Sequence, residues 1–327
     1  MSEQILSKIA VLTSGGDAPG MNAAIRSVVR TAITSKIEIM GIQQGYAGLV
    51  AGKMAPMTLS SVANIIQRGG TILKAGRSLE FHKQEVRAQA AQSLRAAGIQ
   101  GLVAIGGDGT FTGAHLLAQE HNFPVVGIPG TIDNDIFGTE ETIGFDTALN
   151  TAMEAIDRIR DTAASHDRLF IVEVMGRDSG FIAIDVGLAG GAEEVFIPET
   201  LINVDLAIQS IKRGVARGKN SSILVAAEGQ KVGRAYDLAE QIRRKAGFES
   251  KVCVLGHIQR GGAPTARDRI LASRLGFASV RALQQGLTDV MVGVQSGQVV
   301  PVKFKDCLHK KRRVPQELID LAHLLAH

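Results

Sequence analysis

The stretch that decides the fold is LVAIGGDGTF, Leu102–Phe111. A short, continuous apolar run ends in two glycines, a bare carboxylate (Asp108), a third glycine and a threonine. Such a run suits a strand buried on both faces, as in a parallel sheet. The glycines allow a tight turn into a helix. A turn alone would need the glycines but not the acid.

The same grammar recurs along the chain. Apolar runs followed by glycine and polar residues begin at Ile9 (IAVLTSGGDAPG), Ile37 (IEIMGIQQGYAG) and Val125 (VVGIPGTIDND). Others begin at Leu169 (LFIVEVMGRDSG), Ser222 (SILVAAEGQ) and Val252 (VCVLGHIQRGG). Between them, MNAAIRSVVRTAI and ALNTAMEAIDRIRD carry apolar residues at helical spacing. Alternating strand and helix predicts a doubly wound α/β protein with largely parallel sheets. The strands part into two groups near Thr142–Ala148, which predicts two similar α/β domains facing each other across an active-site cleft. The polar, glycine-rich stretches fall at the carboxyl ends of the strands, where such sheets bind ligands.

Composition narrows the class. The 327 residues leave room for two domains, and 45% apolar with 21% charged residues is ordinary for a soluble globular protein. The formal charge of +4 is a mild excess that fits an enzyme of anionic metabolites. The one dense basic run, HKKRR at His309–Arg313, reads as a solvated face or helix start, so no nucleic-acid partner is expected. Cys253 and Cys307 form no disulfide framework, and Cys253, in KVCVLG, is expected to be buried in a strand. No basic region precedes an apolar stretch at the N-terminus, and no apolar run approaches the ~20 residues of a membrane span. A cytoplasmic location without a membrane partner is the expectation.

The strand ends carry the chemistry. In TSGGDAPGMN, Thr13–Asn22, Gly15 and Gly16 let backbone N–H groups approach an anion near a helix start, although a plain turn would look the same. In GGDGT, Asp108 is either a helix cap or the carboxylate of a Mg²⁺ ion that takes its other ligands from phosphate and water. PGTIDND, Pro129–Asp135, places Asp133 and Asp135 beside the Thr131 hydroxyl. A loop carboxylate there can accept a hydroxyl proton, and an Asx-turn pair is the alternative. MGRDSG and GHIQRGG add Arg177, His257 and Arg260. Each arginine alone could be a surface ion pair, but guanidinium forks suit phosphate. Together the set reads as phosphoryl transfer, where positioning and charge stabilisation carry catalysis.

LTSGGDAPGMNAAIR, GGDGT, PGTIDND, TIGFDTAL, SHDR, EVMGR and LGHIQRGG occur in this order, from about Ile9 to at least Gly276. Together they resemble the bacterial ATP-dependent 6-phosphofructokinases. The resemblance implies a homotetramer that makes fructose 1,6-bisphosphate from fructose 6-phosphate and ATP with Mg²⁺. It also implies an ATP/Mg domain of residues 1–143 plus 259–309, and a sugar-phosphate domain of 144–258 plus 310–327. Asp133 matches the base that deprotonates the sugar 1-hydroxyl, Thr131 a group stabilising the transferring phosphoryl, and Asp135 a support of the metal region. Asp108 matches the Mg²⁺ ligand. Gly16, Arg77, Ser78 and the run Gly107, Asp108, Gly109 and Thr110 match the nucleotide site. Ile132, Met175, Gly176, Arg177, Glu228, His257, Ile258 and Gln259 match sugar-phosphate contacts. Arg168, Lys251 and Arg260 match cations around the 6-phosphate, with Arg168 and Lys251 reaching in from a neighbouring subunit. Gly109 and Gly130 agree with ATP as donor, since pyrophosphate-using relatives carry Asp and Lys there.

The resemblance also has departures. Lys251 replaces the usual arginine, Lys74 stands where a small residue lines the nucleotide region, and Phe181 replaces an aspartate. Arg26, Arg30, Arg160, Gly191, Glu193, Arg217 and Lys219 match an inter-subunit effector site for ADP or phosphoenolpyruvate. Leu59 and Ser60 replace the Arg-Tyr pair that meets the nucleotide there, and Asn220 and Ser221 replace a further Lys and His. A kinase of a related ketose 6-phosphate such as tagatose 6-phosphate, or a catalytically weak sensor paralogue, are the alternative readings.

Overall fold

The computed structural model describes residues 6–76, 78–164, 169–219 and 221–326. Among these, the strands are β1 (Lys8–Thr13), β2 (Glu38–Ile42), β3 (Met54–Pro56), β4 (Gly101–Gly106), β5 (Val125–Pro129) and β6 (Leu169–Val174). They continue with β7 (Glu194–Phe196), β8 (Ser222–Ala227), β9 (Ser250–Val254), β10 (Val290–Gln295) and β11 (Gln298–Lys303). The helices are α1 (Met21–Thr34), α2 (Gly45–Val50), α3 (Gln84–Ala96), α4 (Asp108–His121), α5 (Phe145–Ala164) and α6 (Phe181–Gly190). After them come α7 (Val204–Ala216), α8 (Arg234–Ala246), α9 (Ala266–Gln284), α10 (Phe304–Cys307) and α11 (Gln316–Leu325).

The chain divides into two compact units. The first comprises Met1–Ile132, Ile136–Asp146 and Arg260–Arg312; the second comprises Asp133–Asp135, Thr147–Gln259 and Arg313–His327. The first unit holds a sheet of order β11-β10-β5-β4-β1-β2-β3, parallel at its centre and closed by the antiparallel pairs β10–β11 and β2–β3. The second holds a parallel sheet of order β7-β8-β6-β9. The expected α/β class with largely parallel sheets is what the chain adopts.

Burial explains why these segments are strands. Every residue of β4, β5 and β8 is buried, so their apolar runs have no solvent face to alternate toward. Phe111, Leu117, Leu94 and Phe304 fill the core of the first unit beneath the sheet. Leu224, Ile208, Ile211 and Leu238 do so in the second. Helices α3 and α4 are also clamped by polar contacts: Arg87 binds both oxygens of Glu120 at 2.6 Å and donates to the Phe81 carbonyl.

Two local expectations change. Cys253 is only half-buried, because β9 is the edge of its sheet and one flank lies open. Of the two readings of HKKRR, the helix start falls away, since α11 begins at Gln316, and the solvated face holds, with His309, Lys310, Lys311 and Arg313 exposed while the Lys311 backbone bridges to Ile136.

Candidate active site

In the first unit, the loops after β1, β4 and β5 lie against one another. Ser14 N–H donates to the Ile105 carbonyl at 3.0 Å, and Gly130 N–H to the Gly106 carbonyl at 3.0 Å. A Cβ at residue 106 would come within 2.5 Å of the Ser14 backbone oxygen, so glycine is required by close approach. The guanidinium of Arg260 lies directly against Gly16. The loop after β1 also anchors the segment leading to residue 77. Thr13 Oγ1 donates to the Lys74 carbonyl, Ser14 Oγ to the Gly76 carbonyl, and Asn22 bonds Arg68, Gly69 and Ile72. Lys74 is exposed and adopts a left-handed backbone, φ 57°, at a cost of about 1 kcal/mol for a residue with a Cβ. Ser78 is half-buried; Arg77 lies outside the described residues.

Asp108 opens α4, and the Gly107 carbonyl accepts the N–H groups of Thr110 and Phe111. The cap position is Gly107, which carries no side chain, and Asp108 is the first residue of the helix itself. Beside it, Gly109 faces open space, and Thr110 is buried with its Oγ1 without a hydrogen-bond partner. Tyr46, stacked on Phe81, fixes this turn by donating to the Thr110 carbonyl at 2.6 Å. Thr131 lies next to Gly107, and its carbonyl accepts the Thr142 hydroxyl at 2.6 Å. Ile132 is buried.

Among the described residues, no three His, Cys, Asp or Glu side chains gather into a metal cage. One carboxylate at the head of a helix, open space beside it and an unsatisfied hydroxyl fit an ion that takes most of its ligands from phosphate oxygens and water. Mg²⁺ therefore fits the residues present.

The second unit carries the other group. Asp133 and Asp135 are half-buried on either side of Asn134, which is buried with φ 50°. Ser179 Oγ donates to the Asp133 carbonyl at 2.7 Å. Met175 and Gly176 follow β6; Gly176 has φ 141°, and a Cβ there would strike the Ser179 carbonyl. Glu228 follows β8, its N–H donating to the Val174 carbonyl at 2.9 Å. Gln259 is fully buried, and its Oε1 accepts the Met175 N–H at 2.8 Å. Its Nε2 has no partner. Arg177, His257 and Ile258 are exposed.

Lys251 does not join them. It pairs in register with Phe170, at the start of β6, whereas Met175 and Gly176 follow the end of that strand. Arg168, just before β6, lies outside the described residues. The effector candidates of this unit do converge. Arg160 donates to the carbonyls of Gly190 and Gly191, and Lys219 pairs with the buried Glu193, which also accepts the Ile223 N–H at 2.5 Å. Arg217 is exposed at the end of α7. Arg26 and Arg30 lie on α1 of the first unit, Leu59 and Ser60 are exposed there, and Asn220 lies outside the described residues. Phe181 is buried at the first turn of α6, where the Glu199 carboxylate accepts the Gly180 N–H at 2.9 Å. An acid thus still faces that helix start, from another strand end.

Sequence reading missed Ser179 and Lys311, whose Nζ lies 3.5 Å from Asp108 Oδ2. The serine sits inside MGRDSG, where the arginine alone drew the reading, and the lysine was hidden in a basic run.

A phosphofructokinase family model matches residues 8–283. The chain is 57% identical to ATP-dependent 6-phosphofructokinase 1 of Thermus thermophilus over 98% of this chain and all of that one. It is 53% identical to the ATP-dependent 6-phosphofructokinase of Brevibacillus brevis over 98% of this chain and 99% of that one. Among solved structures, phosphofructokinase from Saccharomyces cerevisiae superposes with a TM-score of 0.86 at 32% identity; 98% of this chain covers 46% of that longer chain. A pyrophosphate-dependent phosphofructokinase from Marinobacter aquaeolei, at 22% identity and TM-score 0.84, shares the fold. The motifs in order, the sheets that carry them and relatives matched end to end make one statement: the chain belongs to the phosphofructokinase family.

Proposed function

We propose that this protein transfers the γ-phosphoryl group of ATP to the 1-hydroxyl of fructose 6-phosphate, giving fructose 1,6-bisphosphate and ADP in glycolysis. The observation that carries the reading is the joint retention of Asp108, Thr131 and Asp133 in a chain 57% identical over its length to an ATP-dependent 6-phosphofructokinase. ATP rather than pyrophosphate is favoured by two glycines. Gly109 borders open space that a nucleotide can enter, and Gly130 is packed against Ile105 and Met21, where a lysine would force repacking.

Asp133 takes the proton of the 1-hydroxyl as its oxygen bonds to the γ-phosphorus and the bond to the ADP oxygen breaks. The Thr131 hydroxyl and the Arg177 guanidinium stabilise charge on the transferring group. When bound, Mg²⁺ neutralises phosphate charge; Asp108 would hold it, with Asp135 supporting the region. Gly16, Arg77, Ser78 and Gly107–Thr110 bind the nucleotide. Ile132, Met175, Gly176, Glu228, His257, Ile258 and Gln259 bind the sugar phosphate, and Arg260 its 6-phosphate. Arg168 and Lys251 serve the 6-phosphate of a neighbouring copy in a cytoplasmic homotetramer. The place of Lys251 at the far end of its sheet supports that assignment. Arg26, Arg30, Arg160, Gly191, Glu193, Arg217 and Lys219 form a phosphate-binding effector site between copies.

A coupled assay with ATP or pyrophosphate and a panel of ketose 6-phosphates tests this. Turnover with ATP and fructose 6-phosphate is expected. A preference for pyrophosphate or tagatose 6-phosphate, or no turnover by folded protein, would overturn it.

A further inference from the structure

The proposed function leaves one singled-out motif unused, the basic run His309–Arg313. In the first unit that run is docked. Phe304, which opens α10 just ahead of it, packs 5.2 Å from the Phe111 ring in the first turn of α4. Lys310 Nζ lies 5.1 Å from the centre of the Phe137 ring. Lys311 forms an antiparallel bridge with Ile136. These contacts, on a backbone fixed at both ends, hold Lys311 Nζ 3.5 Å from Asp108 Oδ2.

The pair has the features of an exchangeable counter-ion. At 3.5 Å it is an ion pair rather than a short hydrogen bond. Its side chains are 48% and 34% exposed, so it contributes little to stability and opens readily. Lysine is a point charge on a flexible stem, which can swing aside without a matching fork to break. A bare carboxylate at the head of α4 would repel the phosphates that the adjacent N–H groups attract. An ammonium beside it cancels that repulsion.

We infer that Lys311 is the resting counter-ion of Asp108, neutralising the carboxylate while no metal is bound and yielding it to the divalent cation that arrives with the nucleotide. The inference rests on the reading of Asp108 as the metal's carboxylate. Lys311 is in this sense a positioning residue: it acts on the nucleotide through Asp108.

Calorimetric binding of ADP to the full-length protein, in EDTA and in saturating Mg²⁺, tests it. In EDTA, Lys311→Met should weaken ADP binding roughly five-fold, the scale of one unscreened charge near a surface site. In an Asp108→Asn background the same change should matter less than about two-fold, because the charge to be cancelled is gone. Lys311→Arg should bind within about two-fold of the parent, since it keeps the charge. In Mg²⁺ the loss in Lys311→Met should shrink toward nothing. An equal loss in both backgrounds, or a loss that Mg²⁺ leaves undiminished, would overturn the exchange while leaving the metal reading intact. If Asp108→Asn retains the full gain in ADP affinity on adding Mg²⁺, the metal reading itself falls, and the exchange with it.

Discussion

The side-chain oxygen of Gln259 accepts the main-chain N–H of Met175 at 2.8 Å, and Gln259 has no exposure to solvent. One buried amide thereby ties the turn after β9 to the end of β6. Gln259→Leu keeps the volume and strands the Met175 N–H. It should cost about 1–3 kcal/mol in urea unfolding. It should also raise KM for fructose 6-phosphate more than it lowers kcat. A purely structural role would leave that KM unchanged in the folded fraction.

Asp133→Ser removes the proposed base but keeps a small polar side chain. Loss of general-base help should lower kcat by about 10²–10⁴-fold, or roughly 3–5 kcal/mol of barrier. Sugar-phosphate binding, followed by calorimetry, should stay close to the parent. An unchanged kcat, with chemistry shown to limit the rate, assigns the proton to another group.

Lys251 lies at the start of β9, away from the Met175–Gly176 end of its own sheet. Its effect on sugar-phosphate binding should therefore pass between chains. Lys251→Arg, which supplies a fork in place of a point charge, should lower KM for fructose 6-phosphate by the equivalent of about 1 kcal/mol. Mixed assemblies of Asp133→Ser and Lys251→Ala chains should recover activity that neither shows alone. Failure to recover, with mixing verified by mass, confines Lys251 to its own chain.

The Arg87 hydrogen bonds hold the Glu120 carboxyl below the ordinary carboxylate range. The native pKa lies below the unfolded one, so the pair stabilises the fold above the ordinary value of 4.5 and loses that contribution as pH falls through the native value. Glu120→Gln should therefore be less stable than the parent at pH 7, and its melting temperature should fall less on acidification below about pH 4.5. Parallel acid limbs in the two proteins would show that other carboxylates dominate.

The proposed effector site keeps arginines for phosphate, but Leu59 and Ser60 would offer an adenine neither a guanidinium nor a stacking ring. Each loss removes about 1–2 kcal/mol of differential binding, against a typical coupling of about 1–3 kcal/mol. Millimolar MgADP should shift the fructose 6-phosphate saturation curve little or not at all. A strong leftward shift abolished by Arg26→Ala would sink this expectation.

Most of the parallel strands were legible because burial on both faces leaves an unbroken apolar run, as in β4 and β8. Strands β3, β7, β10 and β11 were not. β3 and β7 are three residues long, β10 runs straight into its antiparallel partner β11 instead of into a glycine-rich turn and helix, and β11 contains Pro301 and has no buried residue. The candidates Asp108, at the head of α4, and Thr131 and Asp133, in the stretch after β5, stood out in the sequence because carboxylates and hydroxyls among glycines have little structural reason to be there. Ser179 and Lys311 lie in quoted stretches, MGRDSG and HKKRR, but their contacts, with Asp133 and Asp108, are distant in sequence and could not be read there. Gln259 was legible only through the family motif; its amide works by filling a buried gap, which composition cannot reveal.

The order of strands in the two sheets also sets a timetable. All four strands of the second sheet lie within one continuous stretch, from Leu169 to Val254. In the first sheet β5 must wait for β10, pairing Val126 with Val290 across that whole stretch. A chain emerging from the ribosome can therefore complete the later sheet before the earlier one, and the N-terminal strands must stay out of trouble meanwhile. β4 and β5, which carry no polar side chain, and the apolar Ile9–Leu12 run of β1 are the segments most in need of shelter during that delay.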